Sequence, residues 1–322
     1  MPTGETRPTA DPMLAAPRGE PGRAALGWPD DRGFVHVRAA RERLRYARWR
    51  PAPELAPFVA HYWIVEYDLR GESPYRQRIL PHPSVNLVVT DGRARPTAAG
   101  PTRSWIAGVI RGHYDETLRD TGWVVGARFR PGGFRPFLGM PVATITDRFL
   151  PLTEVFAAGE AAVRQLTIDL GHTPGDDADD TGSGRQALLN QLDALLLAAG
   201  PVIDPTAAEV DGVVARIAVD PAIARVDELA RQAGTTPRQL QRLFAEYVGA
   251  SPKWVIRLYR LHEAADRAAS GEKVSWAALA AELGYSDQAH LVRDFTAQVG
   301  APPARYARQG AAGTPRPPRD VP

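Results

Sequence analysis

The sequence predicts an α+β, multidomain chain: a β-rich N-terminal barrel or sandwich followed by an all-α C-terminal domain of two helix-turn-helix units joined by a linker helix. Three observations predict it. Short β-branched and aromatic runs, punctuated by turn formers, fill the first half. Helical apolar spacing without that punctuation fills the last third. Within that last third one sequence pattern occurs twice.

Residues 1–40 read as a disordered N-terminal segment, because Pro and Gly are frequent and no apolar period runs through them. The β-rich domain is expected over 41–160. Its strand candidates are Phe58–Tyr67, Ser84–Thr90, Trp105–Ile110 and Trp123–Phe129, separated by turn formers such as Asp91-Gly92 and Pro131-Gly-Gly133. Residues 161–219 read as a flexible loop and linker helices. Gly171–Gly184 carries no large apolar residue. Leu188, Leu189, Leu192, Leu195 and Leu196, then Val210, Val213, Val214 and Ile217, recur at helical spacing. These are expected to be packing helices between the domains. The all-α domain is expected over 220–310, and 311–322 reads as a disordered tail.

Composition bounds the function. A chain of 322 residues can hold two domains with cores of their own. Its 44% hydrophobic and 24% charged content is that of a globular protein. The absence of cysteine excludes disulfides, thiolate zinc sites and cysteine nucleophiles. No apolar run approaches the ~20 residues that cross a bilayer, and the first 32 residues lack a signal-peptide core. The expected location is therefore cytoplasmic, with no membrane partner. The net charge of +2 points to no partner by itself, although every basic residue except Lys253 and Lys273 is arginine.

The repeated pattern carries the function. Each copy holds Leu-Ala, a Gly four residues after that Ala, a cap residue, and then Leu-x-Arg-x-Phe. The matching positions are Ala230/Ala280, Gly234/Gly284, Leu240/Leu291, Arg242/Arg293, Phe244/Phe295 and Gly249/Gly300. Two helices that cross through a tight turn need a small residue at the contact and one tolerant of positive φ at the turn. Thr236 with Pro237 starts the second helix of the first unit, and Ser286 with Asp287 that of the second.

On the helix from Pro237, Leu240, Leu243, Phe244 and Tyr247 form an apolar stripe. Arg238, Gln241, Arg242 and Ala245 fall opposite. Guanidinium and carboxamide groups near a helix N-terminus suit base edges in the major groove of double-stranded DNA, Arg forking onto guanine and Gln onto adenine. The second such helix exposes Ala289, Val292, Arg293 and Thr296, flanked by Gln288 and His290, and is the weaker reader. Between the units, Ser251–Ala269 reads as one long helix whose Lys253, Arg257 and Arg260 are candidates for phosphate contact.

With these residues in view, Asp220–Gly310 resembles the DNA-binding domain of the AraC/XylS family of transcriptional regulators. The resemblance rests on Gly-x-x-Pro-Arg-x-Leu-Gln-Arg-Leu-Phe from Gly234, Gly-x-Ser-Pro-Lys from Gly249, Leu-Gly-Tyr-Ser-Asp-Gln-x-His-Leu-x-Arg-x-Phe from Leu283, and Gly-Ala-Pro-Pro-Ala-Arg-Tyr306. It implies seven helices and two reading helices in successive major grooves. The family's reading positions fall on Arg238, Gln241 and Arg242, then on Gln288, His290, Val292 and Arg293. Leu291 and Val292 depart from the bulkier or polar residues usual there.

Residues 48–156 resemble a cupin-like sensor domain, on Leu55–Trp63, Ile79–Leu87 and Gly126–Gly133. The resemblance implies an unknown small-molecule effector, a homodimer, or both, with RNA polymerase as a further candidate partner. Trp63 and Trp123 are candidates to line an effector pocket, and Arg128 and Arg130 to meet an anionic one; strand aromatics otherwise belong to the core, and arginines to ion pairs or solvent. No His-x-His occurs among His61, His82 and His113, so no metal and no cofactor are expected, and no catalytic residue is identified. Three other readings stay open to comparison. A methyl-transfer repair protein lacks its acceptor thiol here. A cupin-type metal enzyme with a regulatory helix-turn-helix tail would show bound metal. An interaction module would no longer read DNA.

Overall fold

The computed structural model describes residues 25–26, 40, 42–91, 94–157, 183–269 and 274–312. Most of the expected N-terminal disordered segment, the Gly171–Gly184 loop up to residue 182, and the tail from 313 lie outside the described residues.

Strands β1 (Ala25–Leu26), β2 (Leu44–Trp49), β3 (Val59–Asp68), β4 (Tyr75–Ile79), β5 (Asn86–Thr90), β6 (Arg95–Thr97), β7 (Gly100–Thr102), β8 (Ser104–Ala107), β9 (Tyr114–Leu118), β10 (Thr121–Phe129) and β11 (Phe149–Pro151) build the N-terminal domain. A seven-stranded sheet runs β1-β2-β3-β10-β5-β8-β11, and β4-β9 and β6-β7 form two separate ribbons. The expected barrel is thus replaced by open sheets, with β1 and β11 as edges of the large one. A gap between that sheet and the β4-β9 ribbon remains lined by side chains.

The four apolar runs become β3, β5, β8 and β10, because inward residues at period two bury Tyr62, Ile64, Leu87, Val89, Ile106 and Val125. Sequence reading passed over β2, β4 and β9. Arginines interrupt β2, and β4 and β9 are polar and tied by ion pairs: Arg78 Nε lies 2.8 Å from Asp115 Oδ1, and Arg76 also binds Asp115.

The two expected linker helices belong to different cores. α1 (Arg135–Leu138) is a short turn of the N-terminal domain, and α2 (Ser183–Ala198) buries Leu188, Leu189, Leu192, Leu195 and Leu196 against that domain's aromatic core. Its Asp193, itself buried, accepts from the Tyr62 hydroxyl at 2.7 Å and from Ala52 N at 3.0 Å, which satisfies a carboxylate that would otherwise be costly to enclose. α3 (Pro205–Val219) instead places Val210, Val214 and Ile217 in the core of the first helical unit, beside Leu229, Leu240 and Phe244. The helical domain therefore starts before residue 220.

Its remaining helices are α4 (Val226–Gln232), α5 (Pro237–Leu243), α6 (Pro252–Ala269), α7 (Trp276–Glu282), α8 (Gln288–Val299) and α9 (Pro303–Ala312). α6 joins the units by burying its first half in one core and its second half in the other. Val255 and Ile256 pack with the first, and Leu261, Ala264, Ala265 and Ala268 with the second.

Candidate nucleic-acid interface and effector cavity

In the first unit α4 and α5 meet at Ala230, which is fully buried, and turn through Gly234 at φ 64°. Thr235 N donates to Ala230 O at 2.9 Å; in the second unit Tyr285 N donates to Ala280 O at 2.9 Å, beside Gly284 at φ 70°. The repeat in sequence is thus a repeat of the same turn, bond for bond. A capping box starts α5: Thr236 Oγ1 accepts from Gln239 N, and Gln239 Oε1 accepts from Thr236 N, each at 3.2 Å. With Leu240 and Phe244 inside, Arg238, Gln241 and Arg242 are exposed. Past Leu243 the helix widens into a π turn, Phe244–Val248, and stops at Gly249.

The second reading helix starts one residue later than expected. Asp287, not Ser286, is its N-cap, accepting from His290 N at 2.7 Å, and that bond holds the Asp287 carboxyl below the usual range. The shift accommodates the extra residue of the second copy. Gln288 and Arg293 are exposed, whereas Val292 and His290 are partly buried. His290 serves the fold: its ring stands edge-on to Tyr285 at 5.1 Å, and its Nδ1 lies 3.2 Å from Ser286 Oγ.

The linker-helix cations separate. Lys253 is exposed. Arg257, itself exposed, forms an ion pair with Asp294, which is buried on α8. Arg260 is corrected from a phosphate contact to an internal strut. It is buried, donates to Ile223 O at 2.7 Å, and lies 3.0 Å from where a Cβ on Gly284 would stand.

The N-terminal domain grips both units at equivalent positions. At Gly249 the Thr146 hydroxyl donates to the glycine carbonyl, and Arg135 pairs with Glu246 at 2.6 Å. At Gly300 the Arg78 guanidinium, aimed by Asp115, donates to Val299 O at 2.9 Å, neutralising the C-terminal end of α8. Gly300 has φ 81°, and a Cβ there would fall 1.3 Å from Arg78 Nη1. Gly300→Ala is therefore expected to lower stability by about 1–2 kcal/mol from the backbone alone, and to displace Arg78. Urea unfolding of the two proteins measures it.

Between the large sheet and the β4-β9 ribbon lies a cavity of about 390 Å³. Cross-strand rows build its wall. Arg128 stands opposite His61 on β3 and Asn86 on β5; Gly126 stands opposite Trp63 and Val88. Gly126 leaves room for the indole, since a Cβ there would lie 2.5 Å from Trp63 Cζ2. The register slips between Arg128 and Phe129, a bulge that re-aims the strand beside the arginine. Ala218 of α3 and Tyr259 and His262 of the linker helix complete the wall, and His262 meets His82 edge-on across the domain boundary at 5.3 Å.

Of the four effector candidates, Trp63 and Arg128 line this cavity. The other two are corrected. Trp123 is buried in the sheet core, and Arg130 pairs with Asp211 of α3 at 3.1 Å. Sequence reading missed Arg48, Tyr259 and His262 as lining residues, since no local pattern joins positions so far apart. Among the described residues no group of three or more His, Asp or Glu side chains is placed to hold a metal ion, and no helix is long and apolar enough to cross a membrane.

Burial, with Arg128 and Arg48 nearby, pushes the His61 pKa down from 6.5 to about 3, and burial pushes His82 down as well. The unfolded chain protonates these groups first, so their contribution is full above the unfolded value and is lost as pH falls. For His61 the loss by about pH 5 is about 2 kcal/mol. Thermal unfolding at neutral and mildly acidic pH checks it, with a smaller acid shift expected for His61→Gln.

Residues 229–309 match the family model described as a helix-turn-helix domain. The C-terminal domain is a helix-turn-helix domain. Residues 47–151 match a domain of unknown function (DUF6597). Among solved structures, an AraC-type DNA-binding-domain regulator from Chromobacterium violaceum is 21% identical, covering 33% of this chain and 95% of its own, with a TM-score of 0.30. ToxT from Vibrio cholerae O395 is 9% identical over 85% of this chain and 100% of its own, with a TM-score of 0.38. The AraC-like transcriptional activator CuxR is 13% identical over 76% and 95%, with a TM-score of 0.23. No curated protein matches the chain.

Proposed function

We propose that this chain is a DNA-binding transcriptional regulator of the AraC type that reads two successive major grooves through α5 and α8, and that a small molecule in the cavity modulates that binding. The observation that carries the first part is the exposed Arg238, Gln241 and Arg242 face of a capped helix whose opposite side is sealed in a core. Gln288 and Arg293 supply the corresponding, sparser face of α8, and Lys253 a phosphate contact beside the first unit. What supports the second part is the cavity wall, which is shared between the sensing sheet and the linker helix of the DNA-binding domain. An occupant touching Tyr259 or His262 touches the element that spaces the two units. The same ribbon that faces the cavity with Gln77 and Ile79 turns Arg78 outward to Val299 of α8, so cavity and second reader share one strand.

Selection of bound duplexes from a random oligonucleotide pool tests the DNA reading. Enrichment of a sequence with two separated blocks is expected. A pool that stays random after repeated rounds would contradict it.

A further inference from the structure

We propose that the cavity takes an amphiphilic organic anion, its negative group held by Arg128 and its apolar body lying against Trp63 and the ribbon. The proposal rests on the reading of the cavity as the effector site and names the chemistry of what enters it.

The charge balance of the wall carries it. Arg128 is partly buried and lines the cavity. Its hydrogen bond among the described residues is a long one, 3.5 Å to Ser84 Oγ, and no carboxylate pairs with it there. A partly buried guanidinium left this way is costly, and a bound anion removes the cost by charge-assisted bonds. The neighbouring groups favour the same sign. Glu116, the one acidic residue among the described lining residues, is already taken by Arg95, which also stacks on Phe149 at 4.2 Å. The rest of the wall is largely aliphatic and aromatic, so a bare inorganic ion would leave that apolar surface uncovered.

A matched pair of fluorescent probes tests this on the full chain: anilinonaphthalene sulfonate, and phenylnaphthylamine, which has the same rings without the charge. The sulfonate is expected to bind at one site about tenfold or more tightly than the neutral probe, the worth of one or two charge-assisted bonds. Arg128→Met is expected to abolish that advantage, leave the neutral probe unchanged, and raise the Tm of the empty protein. Equal affinities of the wild-type chain for the two probes would overturn the proposal without any variant. So would an Arg128→Met protein that keeps the sulfonate preference or melts lower than wild type. Neither readout involves DNA. A sulfonate that binds through Arg128 yet leaves duplex affinity unchanged would sink effector control while the ligand class stands.

Discussion

Arg242→Ala is expected to weaken binding to the selected duplex by roughly ten- to a hundredfold while changing binding to random duplex far less. The magnitude is that of one bidentate base contact, about 1–3 kcal/mol. Arg242 is suited to such a contact because, among the described residues, none competes for it. It is exposed, and among the described residues it enters no ion pair, whereas Arg257 is tied to Asp294 and Arg260 to Ile223 O. It sits one turn and a half into a helix fixed at its start by the Thr236–Gln239 box and at its end by Gly249, so its direction is set before DNA arrives. Lys253→Ala supplies the contrast. It should weaken selected and random duplex alike and reduce the salt slope by about one. Gel-shift titrations at several salt concentrations separate the two behaviours, and equal losses for Arg242→Ala on both duplexes would remove base reading from the account.

The largest expected effect on stability is that of Phe295→Ala, about 3–5 kcal/mol. Phe295 has no exposed surface, meets Tyr306 edge-on at 5.6 Å, and shares a core with Leu261, Leu279 and Leu291. That core is small and separate from the one around Phe244, so little surrounding structure can relax into the space vacated. The loss should fall on the second unit, and binding to a two-block site should weaken with it. Phe295→Leu, which keeps most of the volume, is expected to cost far less. Urea unfolding followed by tryptophan fluorescence measures both. A Phe295→Ala protein as stable as wild type would mean that α8 is not held by this core.

The helical domain was legible in the sequence because its determinants are local. Gly234 and Gly284 mark turns whose φ only glycine adopts freely, Thr236-Pro237 marks a helix start, and Leu240 with Phe244 defines the inside of α5 within five residues. Where the determinant is not local, reading failed. Lys253, Arg257 and Arg260 lie along one stretch of helix, but α6 crosses between two units, and at position 260 the side chain meets Ile223 and Gly284 instead of solvent. The cap of α8 moved from Ser286 to Asp287 because both residues are good caps and adjacent. In the N-terminal domain the apolar strands could be read. β4 and β9 could not, since their pairing depends on Arg78 meeting Asp115 across 37 positions. The cavity is the extreme case: its wall joins Arg48 to His262, and only the assembled domains bring them together.

The central claim is that two equivalent helical corners face one side of a duplex. Hydroxyl-radical footprinting of the full chain on its selected site tests it most directly. Two protected patches whose centres lie about one helical turn, ~10 base pairs, apart are predicted, with the stronger base dependence in the patch that Arg242→Ala disturbs. A single patch, or two patches half a turn out of phase and so on opposite faces of the duplex, would contradict the account.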